Sequence, residues 1–234
     1  MSTHEKPMDA SLSGTILYPT RREFLATLAS CSGALLLGAP STSQARHQKS
    51  SLESQVTSLV KRMRSKGLIR PEERTSWSVY DFTTGEKLVA INEDTPRQAA
   101  SMIKPFVAQA YFYQLARSNG KMHYTREVRQ IMERMIRRSS NSATNRLMSI
   151  VSRNAGNHGP RDVERVLKQN APEIFRQTRI VERIPANGRT YRNLASAHDY
   201  SRFLYALWNN RMPYADELRE LMALPNRDSV PKMQ

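Results

Sequence analysis

The chain has one cysteine, Cys31, in 234 residues, which excludes an internal disulfide framework and a cysteine-based metal site. It is also short of negative charge, with 21 acidic residues against 36 basic ones and a formal net charge of +15. No apolar run is long enough to span a bilayer as a helix. Internal repeats and low-complexity segments are lacking too. No zinc-finger, RNP or KH pattern accompanies the basic excess, which is spread along the polar sides of amphipathic segments. A solvated basic surface is therefore favoured over a nucleic-acid site, and such a surface would suit an anionic cell wall or membrane face. No metal cluster stands out, and neither a metal nor a cofactor is expected.

What is present begins with an export-like leader. A polar lead reaches Thr20-Arg21-Arg22-Glu23-Phe24-Leu25, a mildly apolar run follows to Gly38, and Pro40 and Ser43-Gln44-Ala45 come next. Charged region, apolar region and small-residue cleavage site are the parts of a signal peptide. The Arg21-Arg22 pair with Phe-Leu resembles a twin-arginine signal, which implies the twin-arginine export machinery as a partner and a periplasmic or secreted protein. The expected division is residues 1–45 as signal and 46–234 as the working domain, a monomer. Removing 1–45 takes three charges of each sign, so 33 basic residues face 18 acidic ones and the net charge is unchanged. Leu28-Ala29-Ser30-Cys31 also looks like a lipobox, but the apolar stretch runs on past Cys31 to Leu37, so lipid anchoring is the less favoured reading.

The spacing of Leu52, Val56, Leu59, Val60 and Met63 predicts an amphipathic helix over 50–66, stopped by Gly67 and packed on a sheet. Trp77 to Phe82 and Leu88 to Ile91 predict a hairpin turned by Thr83-Thr84-Gly85-Glu86. Helices are predicted over 101–117, 125–138, 142–151, 161–169, 197–208 and 214–223. The order is helix, hairpin, helical block.

The helix after the hairpin opens on Ser101-Met102-Ile103-Lys104-Pro105. Residues three apart on a helix share a face, so the two polar side chains can meet. A serine hydroxyl needs a base to become a nucleophile, and a lysine serves only where burial lowers its pKa, as Met102, Ile103, Phe106 and Val107 would do. Pro105 fits only an opening turn, which places Ser101 at the helix start with its N–H available to an oxyanion. The spacing alone is unspecific. Ser58-Lys61, Ser118-Lys121 and Ser229-Lys232 share it, and Ser152-Arg153-Asn154 duplicates the Ser-x-Asn spacing of Ser139-Ser140-Asn141.

The combination is more specific. A hairpin, then Ser101-x-x-Lys104 opening a helix, then Ser139-x-Asn141 with the trailing Ala143-x-Asn145-x-Leu147, resembles the class A β-lactamase and penicillin-recognising serine hydrolase family over about residues 52–228. Ala195-Ser196-Ala197-His198-Asp199 resembles the family's capped helix after its Ω-loop. The resemblance implies an α+β fold of β-lactamase/transpeptidase type, with a helical lobe and an antiparallel sheet. It implies Ser101 as nucleophile, Lys104 as proton acceptor, Ser139 as donor to the leaving nitrogen, and Asn141 as the group that bonds the substrate's amide. The substrate would be a β-lactam or a peptidoglycan-derived amide, opened through an acyl-serine.

Three departures qualify that expectation. Ser140 stands where the family usually has aspartate, and the Ser101–Ser139 gap is short. The glutamate that activates the deacylating water has no clear counterpart. Glu182, in Val181-Glu182-Arg183-Ile184-Pro185-Ala186-Asn187, is a candidate, with a surface glutamate beside arginines favoured. No Lys-Thr-Gly precedes Gln234, so a C-terminally truncated chain and a sheet reduced to its hairpin are expected. A penicillin-binding protein that acylates without efficient turnover, and a basic non-catalytic cell-wall-binding module, are the alternatives. His198 is read as a cap or surface residue, with no acid pattern to match it.

Overall fold

The computed structural model describes residues 42–185 and 192–225, the side chains of 42–50 excepted. Contacts divide the chain into two compact units, Met1–Ala45 and Arg46–Gln234. The twin-arginine pair, Cys31, Pro40, Asn187 and Ser229-Lys232 lie outside the described residues, whereas the backbone of Ser43-Gln44-Ala45, the expected cleavage site, is described and is helical.

Helix α1 (Thr42–Ser65) begins earlier than the periodicity predicts. It stops as expected: Gly67 takes φ +69°, and Leu68 N–H closes on Met63 O at 2.9 Å. Its buried Val56 and Val60 are the core-facing positions of the apolar stripe. Glu53 accepts the Ala90 N–H at 2.9 Å, tying α1 to the following hairpin. Strands β1 (Trp77–Asp81) and β2 (Glu86–Ile91) pair antiparallel, Val79 opposite Val89, with an irregularity after Val79. Asp81 organises the turn by accepting Thr83 N–H at 2.8 Å, and Gly85 supplies the left-handed residue at φ +73°.

The expected α+β arrangement of a helical lobe and a small antiparallel sheet holds, and among the described residues that sheet is the β1–β2 hairpin alone. A second ladder joins β3 (Arg97–Gln98) to β4 (Leu194–Ala195), and an isolated bridge links Arg179 to Leu194. Two-residue strands carry no period-2 pattern that could announce them. Their role is positional, because β3 leads straight into the Ser101 turn.

The helical lobe is built around α2 (Lys104–Arg117), which is buried on nearly every side. Around it stand α3 (Arg126–Arg137), α4 (Asn141–Arg153), α5 (Arg161–Asn170), α6 (Ala197–Trp208) and α7 (Ala215–Ala223). Contacts of α2 with α3, α4, α5 and α7 make it the hub. Phe106 holds one end, with its ring 4.8–5.0 Å from those of Tyr200, Phe203 and Phe175. Phe112 holds the other, stacked on Tyr214 at 5.1 Å and edge-on to Tyr124 at 5.4 Å. Edge and offset contacts of this kind add to plain area burial. Thr125, Ser140 and Ser196 cap α3, α4 and α6 by accepting the N–H three residues on.

Candidate active site

The predicted helix from Ser101 is corrected at its first turn. Residues Ala100–Ile103 form a 3-10 turn, and the α-helix begins at Lys104 with Pro105 in its opening positions. The proline excludes a regular hydrogen bond to Ser101 O, and the tighter turn supplies another partner, since Lys104 N–H bonds that oxygen. Ala100 enters the turn at φ +46°, a left-handed conformation that costs an alanine about 1–2 kcal/mol.

The second group of site residues lies between α3 and α4. The chain leaves α3 through Ser139 at φ +51°, Ser140 N–H returning to Arg134 O at 3.1 Å. Ser140 then caps α4, accepting Ala143 N–H at 3.2 Å, and Asn141 is that helix's first residue. Three consecutive residues, Ser139 to Asn141, thus supply a hydroxyl, a helix cap and an amide. Ser140 performs by capping what an aspartate at this position would also perform.

Lys104 brings the two groups together. Its Nζ lies 2.9 Å from Ser101 Oγ, 2.7 Å from both Ser139 Oγ and Ser139 O, and 3.2 Å from Asn141 Oδ1. Ser139 Oγ donates to Ser101 Oγ at 2.9 Å, which closes the triangle. Lys104 is only 2% exposed, while both serines are open to solvent. Burial pushes the Lys104 ammonium down to about 8. The set of four acceptors exceeds the three hydrogens of an ammonium. A neutral amine at this point has two N–H groups to give, to the Ser139 carbonyl and Asn141, and a lone pair within reach of the Ser101 hydroxyl at 2.9 Å. That is the arrangement a serine needs to lose its proton.

The look-alike pairs separate on environment. Ser58 is exposed on α1, and Ser118 Oγ donates to Leu115 O at 2.8 Å as a helix terminus. Ser152 is buried and structural, donating to Asp162 at 2.6 Å and accepting Gly159 N–H at 2.8 Å.

Glu182 is half-buried, and its carboxylate accepts the Arg192 N–H at 2.7 Å. It is not among the described groups hydrogen-bonded to Ser101, Lys104 or Ser139. Two buried or half-buried asparagines fix its segment. Asn193 Oδ1 accepts Val181 and Glu182 N–H at 2.8 and 3.1 Å, and Asn145 exchanges bonds of 2.6 and 2.8 Å with the backbone of Ile184. Asn193 O also accepts Ala99 N–H at 2.9 Å, which ties this loop to the residue two before Ser101. Asn145 stood inside the Ala-x-Asn-x-Leu pattern. Nothing marked Asn193, whose partners are distant in sequence.

His198 stands partly exposed in the first turn of α6, and it meets two acids that no local sequence pattern announced. Its Nδ1 lies 2.9 Å from Asp94 and 3.4 Å from Glu93, on the loop after β2. The three offer ligand atoms within 4.8 Å of one another, the spacing of a metal site. Lys87 at 2.6 Å from Glu93 and Arg202 at 3.9 Å from Asp94 already supply positive charge, so the group is an ion-pair cluster joining that loop to α6.

Beside Ser101 opens a cleft of about 310 Å³, floored by Phe106 and Phe203 and walled by Met102, Pro105, Ile136, Tyr200, Leu204 and Met222. Lys104 is the one charged group among the described residues that line it. No motif announced this cleft, because its walls come from α2, α3, α6 and α7.

The profile of the Beta-lactamase enzyme family matches residues 52–128 and 116–230. Among solved structures, an ancestral class A β-lactamase aligns with a TM-score of 0.54 and 18% identity, over 73% of this chain and 68% of its own. A variant of the class A β-lactamase of the last common ancestor of Gram-negative bacteria gives 0.55 and 17%, over 76% and 71%. A related mutant bound to a nitrobenzotriazole transition-state analogue gives 0.54 and 17%, over 73% and 69%. At that identity the likeness is one of fold. Comparison with curated protein sequences returns no match.

Proposed function

The chain belongs to the Beta-lactamase enzyme family, and from that premise we propose that it opens a β-lactam amide through an acyl-serine at Ser101. The observation that carries this reading is the buried Lys104 Nζ, 2.9 Å from Ser101 Oγ and 2.7 Å from Ser139 Oγ. Neutral Lys104 takes the Ser101 proton as Oγ attacks the carbonyl carbon. Ser139, 2.9 Å from Ser101 Oγ, relays a proton to the leaving nitrogen as the C–N bond breaks. Asn141 holds the substrate's side-chain amide, and Ser101 N–H at the opening turn faces the developing oxyanion. Water then releases the acid and restores the serine.

Glu182 is the candidate to activate that water. Its engagement with Arg192 favours a second reading, in which the acyl-enzyme persists as in a penicillin-binding protein. A fluorescent penicillin separates the two: turnover supports hydrolysis, and a stable adduct lost in Ser101→Ala supports the second. Absence of any Ser101-dependent reaction rejects both. Residues 1–45 are proposed to direct twin-arginine export of a monomer to the periplasm or beyond. Substituting Arg21→Lys and Arg22→Lys together is expected to trap the precursor in the cytoplasm, and unchanged export would refute that route.

A further inference from the structure

We propose that the cleft beside Ser101 is an acyl pocket, and that the site accepts uncharged carboxylic esters carrying an unbranched apolar acyl arm in addition to a cyclic amide. The inference rests on the reading of Ser101 as nucleophile and names a further substrate class for it.

The cleft adjoins the reacting hydroxyl, since Ser101, Lys104 and Ser139 form one end of its lining. Its remaining walls are apolar save for the Tyr200 phenol: Met102 from the turn that carries Ser101, Pro105 and Phe106 from α2, Ile136 from α3, Phe203 and Leu204 from α6, and Met222 from α7. The polar contribution is slight, and burial holds the Tyr200 phenol above its ordinary range, so that wall stays uncharged at neutral pH. Met102 at 60%, Leu204 at 39% and Met222 at 36% exposure leave apolar surface facing water at the mouth, which an apolar arm would cover. At about 30 Å³ for each water-sized group, 310 Å³ holds roughly ten such groups, enough for an acyl arm of six to eight carbons. Pockets of this composition take apolar ligands oriented by a few polar groups at one end.

The chemistry balances with groups on hand. Ser101 Oγ bonds to the ester carbonyl carbon, the carbon–oxygen bond to the alcohol breaks, and the serine proton passes through Lys104 and Ser139 to the departing oxygen. Water cleaves the acyl-serine, so the products are the carboxylic acid and the alcohol.

The test is a series of p-nitrophenyl esters from acetate to octanoate with the full chain, beside labelling by a fluorescent penicillin. Each methylene buried in the cleft is expected to raise kcat/KM about three- to fourfold up to roughly six carbons, with the effect lost in Ser101→Ala. Met222→Trp is expected to move the optimum to a shorter acyl chain. A rate flat or falling with chain length, while penicillin still labels Ser101, overturns the acyl pocket and leaves the amide reading standing. Chain-length dependence that survives Ser101→Ala places the reaction elsewhere and overturns it too. Loss of both ester and penicillin reactivity defeats the underlying reading, and the pocket with it.

Discussion

If Lys104 is the base, the rate of acylation follows the fraction of that lysine that is neutral. With a pKa held down to about 8 by burial, the neutral fraction is about one-tenth at pH 7 and about nine-tenths at pH 9. The rate constant for acylation is therefore expected to rise about tenfold between those values and then level off. An ordinary lysine near 10.5 behaves differently, with roughly a hundredfold rise over the same interval and no plateau below pH 10. Stopped-flow acylation by a chromogenic cephalosporin from pH 6 to 10 reads the difference directly, since the substrate's carboxylate does not titrate in that range. A hundredfold climb still rising at pH 9 refutes the depressed lysine. A profile independent of pH would remove Lys104 from proton transfer altogether.

The same burial bears on stability. Because the folded state lowers the lysine's pKa, the unfolded chain binds the extra proton between about 8 and 10.5, so Lys104 costs stability below pH 8 and ceases to do so above 10.5. Lys104→Met is expected to abolish acylation yet stabilise the fold by about 1–3 kcal/mol at pH 7, less the lost hydrogen bonds, with the gain shrinking toward pH 10.5 in urea titrations. Equal or lower stability at pH 7 counts against the buried charge. Asn145→Ala removes both bonds to Ile184 and is expected to cost about 1–3 kcal/mol by urea unfolding; a change below 0.5 kcal/mol denies it the anchoring role. Ser140→Ala is expected to cost about 1 kcal/mol by the same measurement while Ser140→Asp restores the cap, and equal losses in both variants would contradict capping.

The legible parts of the molecule were those with local signals. Gly67 and the Val56/Val60 stripe announced the end and inner face of α1, and Thr83 to Glu86 announced the hairpin turn. Pro105 marked an opening turn, but a proline admits both α and 3-10 geometry there, so the short turn under Ser101 was not foreseeable. Ser101, Lys104, Ser139 and Asn141 were named from spacing and resemblance, and the structure places all four within one hydrogen-bonded group. What stayed hidden depends on distant partners. Asn193 acts through Val181, Glu182 and Ala99, His198 through residues about a hundred positions away, and the cleft is enclosed by four helices. Side chains whose function lies in long-range contacts leave no period to read.

The left-handed residues Ala100 and Ser139 hold the two serines in place, and each is joined to the best buried helix of the lobe, one by chain continuity and the other through Lys104. Backbone strain in a peripheral loop escapes by local opening. Here relief requires letting go of α2, a helix buried on nearly every side, whose amides are expected to exchange with solvent only on global unfolding. The candidate site is thus expected to be assembled or lost together with the core, its hydrogen-exchange protection vanishing at the same denaturant concentration as that of the helix that carries it.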